Sequence, residues 1–261
     1  MRREPIVLFD NGSHKCLMFD DLVSGEGVQS NQFLIIDHDQ YLLLDPGGDL
    51  TYTPLSLALS QHIPVQALTY IFASHQDPDI IASLDKWLLH TRARVICSKL
   101  WARFLPHLTA NYLALSHGIN TYDRIVALPD RGQSFTLGKC QLKAVPAHFL
   151  HSVGNFQLYD PVSKILFSGD MGASLVDDAS PVVDFVNHIP NMAGFHRRYM
   201  ASNRACRFWA QMVREMDVAQ IVPQHGRPFV GEAMIGAFLD WIEHLECGLD
   251  LMTQQDYRLP D

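Results

Sequence analysis

Apolar and polar positions change rhythm repeatedly along the chain, and each change marks an element. Residues 31–37 (NQFLIID) and 40–48 (QYLLLDPGG) are apolar runs around the charged pair His38-Asp39, and a Pro-Gly-Gly break ends the second. This predicts two paired strands. Leu55, Leu59 and Ile63 fall four apart, predicting a helix over 54–63; the apolar run 68–74 then predicts a strand that leads straight into His75. A helical pattern follows over 80–90, a strand over 93–98 and a helix over 99–115 interrupted near Pro106. Residues 124–151 alternate as β structure, with turns at Pro129-Asp130 and Gly138-Lys139. Residues 155–172 read as two strands joined across 160–163, and the second ends on Asp170. A helix over 201–216, a strand over 219–226 that delivers His225, and an amphipathic helix over 231–252 complete the chain. No fixed repeat or Ser/Gly linker divides these pieces. The expectation is one domain, 1–261, of class α+β, with two sheets covered by helices.

Composition narrows the class. Of the 261 residues 48% are hydrophobic and 18% charged, the balance of an ordered globular chain. The net charge of −8 argues against nucleic acid as a partner, since such binders concentrate Lys and Arg. The one basic cluster, His196, Arg197, Arg198, Arg204 and Arg207, reads as a solvated helix face. Cys16, Cys97, Cys140, Cys206 and Cys247 are odd in number and far apart, which suggests free buried thiols in a reducing cytosol and no thiolate metal site. The first apolar run is too short for a signal peptide, and no window approaches the roughly 20 apolar residues of a membrane span. A cytoplasmic protein without membrane contact is expected.

Candidate chemistry sits at strand ends. His75, Asp77 and Asp79 follow one predicted strand, His151 and Asp170 follow others, and His225 follows the last. Three imidazoles with three carboxylates suit two iron, manganese or zinc ions bridged by a carboxylate. Each residue also has a plainer reading. A lone histidine is more often a surface or hydrogen-bonded core residue, and Asp79 can simply cap the helix that begins near Ile80.

Taken in order, SHQDPD, FLHSVGN, ILFSGDMG and VPQHG resemble the metal-binding segments of the metallo-β-lactamase fold, and LLLDPGG resembles its second-strand signature. The resemblance runs from about residue 31 to 229 and implies a four-layer αβ/βα sandwich. Hydrolases of that fold carry HxHxDH, whereas this chain reads His75-x-Asp77-x-Asp79-Ile80. It is closer to the HxExDH of flavodiiron proteins, and closer still to their flavodoxin-less relatives, the oxygen-binding di-iron proteins of bacterial signalling. FHRRYMASNRACRFW also resembles a segment of those relatives. A carboxylate in place of an imidazole favours ferric iron over zinc. The family pattern implies that His75, Asp77 and His151 bind one iron, that Asp79 and His225 bind the other, and that Asp170 bridges them. The 19-residue step from His151 to Asp170 fits that pattern better than the 22-residue step from His148, which is left as an outer neighbour. Asp77 is a methylene shorter than the family's Glu. Ile80 supplies no imidazole and implies an open position on the second iron. Tyr199 and His196 are candidate hydrogen-bond donors to bound oxygen.

Two functions follow. The first is a non-haem di-iron protein that binds dioxygen, as a sensor acting on a signalling protein or as an O2/NO reductase fed by an external redox partner. Flavodiiron enzymes carry FMN on an attached flavodoxin domain; no FMN is expected in this chain, because only about 30 residues follow His225. The second is a dinuclear zinc or manganese hydrolase of esters, thioesters or phosphodiesters, with Asp79 orienting a metal-generated hydroxide. The resemblance also implies a homodimer.

Overall fold

Strands that are apolar on both faces must be covered on both, and this fixes the layering here. The computed structural model describes residues 4–109, 111–176 and 178–260. Its first half holds β1 (Ile6–Asp10), β2 (His14–Phe19), β3 (Gln32–Asp37), β4 (Gln40–Leu44), α1 (Asp49–Leu59), β5 (Tyr70–Phe72), α2 (Pro78–Ile81), α3 (Leu84–His90), β6 (Arg94–Ser98), α4 (Asn111–His117) and β7 (Ile125–Leu128). Its second half holds β8 (Gln133–Leu137), β9 (Cys140–Pro146), β10 (Phe156–Asp160), β11 (Ile165–Phe167), α5 (Phe185–Tyr199), α6 (Asn203–Arg214), β12 (Gln220–Val222), β13 (Phe229–Val230) and α7 (Glu232–Glu243). Strands β1 to β7 form one sheet in chain order, antiparallel as far as β4 and parallel from there on. The second sheet runs β13-β12-β11-β10-β9-β8, with β11 and β12 parallel.

Successive residues of each strand enter different apolar layers. Phe33 and Ile35 of β3 join Leu142, Phe156 and Phe167 between the sheets, while Leu34 joins Leu55, Leu59 and Trp87 beneath α1 and α3. In the second sheet Phe167 faces inward, whereas Leu166 and Ile221 join Met192, Trp209 and Phe238 beneath α5, α6 and α7. Helices, sheet, sheet and helices therefore stack in that order, the αβ/βα sandwich that the resemblance implied.

The helices depart most from expectation. The helix predicted over 54–63 starts at Asp49 and ends at Leu59, because Gly48 at its N-cap has no side chain to signal a start. The helical run 80–90 is split into α2 and α3. At the break the Ser83 hydroxyl donates to the Gly47 carbonyl (2.7 Å) and accepts from Trp87 Nε1 (3.0 Å), so tertiary partners replace the continuous helix. Residues 99–115 give turns, a short 3-10 segment (Leu105–Leu108) and α4; residue 110, inside that predicted helix, lies outside the described residues. The closing helix stops at Glu243, and Gly248 (φ +51°) turns the chain into a separate 3-10 segment (Gly248–Leu251). Strands β1 and β2 and helix α5 were not foreseen. The last carries Pro190 in its interior, which obscures its pattern.

A polar cluster is sealed between the sheets. His14 faces Asp37 (Nδ1–Oδ1 2.9 Å) and Asp160 (Nε2–Oδ2 2.7 Å), and all three residues are buried. Asp160 also accepts from the Val162 N–H (3.0 Å), the Ser163 hydroxyl and the Cys16 and Cys140 thiols. Burial opposes ionisation of Asp160, but the bonds from His14 and Ser163 outweigh it and bring its pKa down to about 2. Burial likewise opposes charge on His14, and Asp160 and Asp37 raise its pKa in spite of that. The carboxylate's contribution is present above its ordinary value of about 3.9 and is lost as pH falls toward about 2. The imidazolium's contribution is present below about 6.5 and is lost as pH rises through its raised value. Two outcomes follow. Unfolding free energy from urea titrations falls as pH drops from about 4 to about 2. His14→Ala, which removes the imidazolium that two buried carboxylates share, costs about 3–5 kcal/mol at pH 6.

Candidate metal centre

Five segments bring the six predicted residues to one end of the sandwich. His75 lies just past β5, Asp77 and Asp79 at the start of α2, His151 in the β9–β10 connection, Asp170 just past β11 and His225 just past β12. Since β5 sits in the parallel part of the first sheet and β11 and β12 are parallel in the second, their carboxyl ends emerge together. Backbone bonds bind the two sheets here: Phe156 N–H donates to the Ser74 carbonyl (3.0 Å) and Asn31 N–H to the Gln224 carbonyl (2.6 Å). Gly226, in the left-handed region (φ +76°), lets the His225 loop press against Ser174, whose carbonyl would lie 2.6 Å from any added Cβ.

Asp170 is the hub of the group. Its Oδ2 lies 2.8 Å from His151 Nε2 and 3.4 Å from His75 Nε2, while its Oδ1 lies 3.4 Å from His225 Nε2. Asp77 Oδ2 closes the first cluster, 3.3 Å from His151 Nε2 and 3.8 Å from His75 Nε2. Asp79 Oδ2 closes the second, 3.4 Å from His225 Nε2. One carboxylate thus faces two donor groups. The alternative reading of Asp79 as a helix cap does not hold: the N-cap of α2 is Asp77, and neither carboxylate makes a capping bond.

Neighbours aim these side chains. His225 Nδ1–H donates to the Gln29 carbonyl (2.6 Å), which turns Nε2 toward Asp79 and Asp170. His75 Nδ1 contacts the Ser74 hydroxyl (2.9 Å), and Ser74 N–H donates to Asp45 Oδ1 (2.8 Å). Burial raises the Asp45 carboxyl to about 7 against the pull of that N–H. Asp77 Oδ1 accepts from Gln76 Nε2 (3.0 Å), and Gln76 Oε1 accepts from the Ser152 hydroxyl (2.6 Å), so Oδ2 is left for the imidazoles. Sequence reasoning missed Gln76, Ser152 and Ser74, although each directly adjoins a predicted ligand. Gln29 acts through its backbone, and no side-chain type could have disclosed it.

Other expectations are corrected. His196 is buried, not part of a solvated basic face: Nδ1 donates to the Met192 carbonyl (2.9 Å) and Nε2 accepts from Gly172 N–H (3.0 Å). Burial lowers its pKa to about 4, so the ring is neutral and has no proton left for a ligand. Arg197, Arg198, Arg204 and Arg207 are exposed, as expected. His148 turns away to the Asp130 carbonyl (2.6 Å). Tyr199 stacks on Phe195 (4.8 Å) and meets the His151 ring edge-on (5.5 Å), bordering the site through its ring. Ile80 is fully buried among Leu34, Leu43 and Leu84, so its position offers the site no donor.

The residues fit a pair of cations. His75 Nε2 and Asp170 Oδ1 are buried without a hydrogen-bond partner, an uncommon state for a buried polar atom. Donor atoms of His75, Asp77, His151 and Asp170 lie within 4.8 Å of one another. Burial disfavours charge on His151, yet Asp170 and Asp77 lift it to about 10; burial likewise opposes His225, and Asp79 and Asp170 lift it to about 9. The His151 bond leads in lowering Asp77; burial pushes Asp170 up, but His151 and His75 bring it well below the carboxylate range. A field strong enough to hold protons on two imidazoles will hold metal in their place.

Four layers with nitrogen and oxygen donors gathered at the strand ends define a protein of metallo-β-lactamase fold. Residues 28–226 match the family described as ODP family beta lactamase, and the chain belongs to that family. It is 37% identical to a structure titled as the peroxy diiron species of the chemotaxis sensor ODP, with a TM-score of 0.85 over 98% of this chain and 100% of that one. An apo structure of the sensor from T. denticola gives 37% identity and a TM-score of 0.82 over 97% and 99%. A Thermotoga maritima flavoprotein shares the fold at 19% identity, with a TM-score of 0.70 over 91% of this chain and 61% of that one. Among curated sequences, a Synechocystis putative diflavin flavoprotein is 30% identical over 59% of this chain, and an uncharacterized Methanocaldococcus jannaschii protein 28% over 55%. The chain spans only 24% and 34% of their lengths. Among the described residues no helix is long and apolar enough to cross a membrane.

Because His151 and His225 hold protons above neutrality when no metal is present, metal uptake must expel them. Adding ferrous or zinc ion to metal-depleted protein at pH 7.5 in weak buffer will release about two protons per chain, read with an indicator dye. His151→Gln will reduce that release.

Proposed function

We propose that this chain is a di-iron protein that binds dioxygen and serves as an oxygen sensor. The observation that carries this reading is the split of Asp170, with Oδ2 toward His75, Asp77 and His151 and Oδ1 toward His225 beside Asp79. In this reading His75, Asp77 and His151 hold one iron, Asp79 and His225 the other, and Asp170 bridges them. Bound iron would supply the redox-active positions at which dioxygen is taken up. The chain's own residues do the rest. Gln29 and Ser74 set the imidazole faces, Gln76 and Ser152 hold the short Asp77 carboxylate in reach, and the Phe195–Tyr199 stack covers the His151 edge.

The likeness to a chemotaxis sensor over the full length of both chains favours sensing over reduction. A signalling partner and a homodimer belong to the same proposal. The apolar layer between the sheets, which combines residues from both halves of the chain, supports one domain.

Protein purified without oxygen, reduced and then exposed to measured air tests this. The expected result is two irons per chain by metal analysis and an air-dependent visible absorption that dithionite removes. Zinc content with esterase activity and no colour would overturn it in favour of a hydrolase. Asp77→Ala should retain about one iron per chain, and Asp170→Ala should lose most of both, since a bridging carboxylate serves each ion.

A further inference from the structure

The metal centre leaves the cysteines unused, and two of them meet. Cys206, in the first turns of α6, and Cys247, just past α7, bring their Sγ atoms to 3.8 Å, with both residues fully buried. The sequence separates them by 41 positions and gave no sign of a pair. Cys16, Cys97 and Cys140 are also free thiols, but Cys16 and Cys140 direct theirs to Asp160.

We propose that Cys206 and Cys247 form an oxidation site, which a peroxide converts to a disulfide. The two thiols face each other at this distance and either can donate to the other, so either can attack first, Cys247 for instance. Its thiolate displaces one peroxide oxygen, giving a sulfenic acid and, with one proton, water. Cys206 then attacks the oxidised sulfur and expels the second oxygen as water. Two thiols and one hydrogen peroxide thus yield one disulfide and two waters, with two electrons passing from sulfur to oxygen. A surface cleft lined by Asn203, Arg207, Glu243, His244, Glu246 and Asp250 is built from chain neighbours of both cysteines, and it is the approach the proposal assigns to peroxide.

The site is placed where a crosslink matters. Asp250 accepts from the N–H groups of Asn203 (2.5 Å) and Cys247 (3.1 Å), so the start of α6 and the C-terminal segment already share one carboxylate. Leu249 N–H donates to the Ala201 carbonyl (2.9 Å), and Ala201 N–H donates to the Phe149 carbonyl (3.1 Å), two residues before His151. A disulfide would fasten this joint covalently, two backbone hydrogen bonds from the loop that carries a predicted ligand.

The test treats reduced full-length protein with a few equivalents of hydrogen peroxide, then alkylates under denaturing conditions and maps peptides without reductant. The expected result is loss of two of five thiols, a 2 Da decrease and one crosslinked peptide joining Cys206 to Cys247, all reversed by dithiothreitol. Cys206→Ser and Cys247→Ser should each form no crosslinked peptide. Chelator-stripped protein should behave identically, which separates this result from the iron reading. Five alkylated thiols, a crosslink between other cysteines, or sulfinic acid in place of the bridge would overturn the proposal, and mapping of the unmutated chain decides this even if a variant misfolds.

Discussion

The carboxylate of Asp170 is the constraint on which the rest of the molecule turns. A buried anion costs several kcal/mol unless positive charge and hydrogen bonds surround it, so a fold can carry one only where cations converge. Here the turn after β11 is rigid: the Ser168 hydroxyl donates to the Met171 carbonyl (2.6 Å), and Gln224 N–H donates to the Gly169 carbonyl (2.8 Å). The second of these bonds joins the Asp170 turn to the segment that ends in His225. Each further predicted ligand faces this carboxylate, and the parallel pairs in both sheets end on the same side of the sandwich.

The sandwich contains a second buried group of imidazole and carboxylates, and the contrast shows what makes a site. Around His14 both ring nitrogens face carboxylates, and Asp160 accepts from the imidazole, a backbone N–H, a hydroxyl and two thiols. That cluster is saturated by its own chain and ties β2 and β3 to β10. At the other end, burial is comparable for His75 and Asp170, yet His75 Nε2 and Asp170 Oδ1 lack partners. Residue type and burial alone would treat the two clusters alike; the unmet hydrogen-bonding capacity separates a structural lock from a binding site.

Much of this was legible in the sequence, for reasons that differ by residue. His75, Asp77, Asp79, His151, Asp170 and His225 could be picked out because the short polar segments that carry them come after apolar runs, and a strand end is a position that local pattern can reveal. The sheets were legible because continuous apolar runs such as residues 31–37 are apolar on both faces. The break between α2 and α3 was not, since it depends on Ser83 meeting the Gly47 turn, a contact 36 residues away. The burial of His196 was hidden for a similar reason: its partners are Met192 on its own helix and Gly172 on a distant turn. The Cys206–Cys247 contact lay further still from any local signal.

The short Asp77 shows how the chain accommodates a carboxylate one methylene shorter than that of the flavodiiron pattern it resembles. An aspartate at an N-cap ordinarily accepts from the helix's first N–H groups, a bond worth about 1 kcal/mol. Asp77 occupies that position without making the bond, and its oxygens turn to Gln76 and toward the imidazoles of His151 and His75. A four-residue helix gives up little by going uncapped, because Pro78 at its first position already lacks one of the N–H groups a cap would serve. The missing methylene is then offset from outside: Gln76 grips one oxygen, and Ser152, beside His151, grips Gln76, so the two loops that must agree on the position of the carboxylate hold it between them.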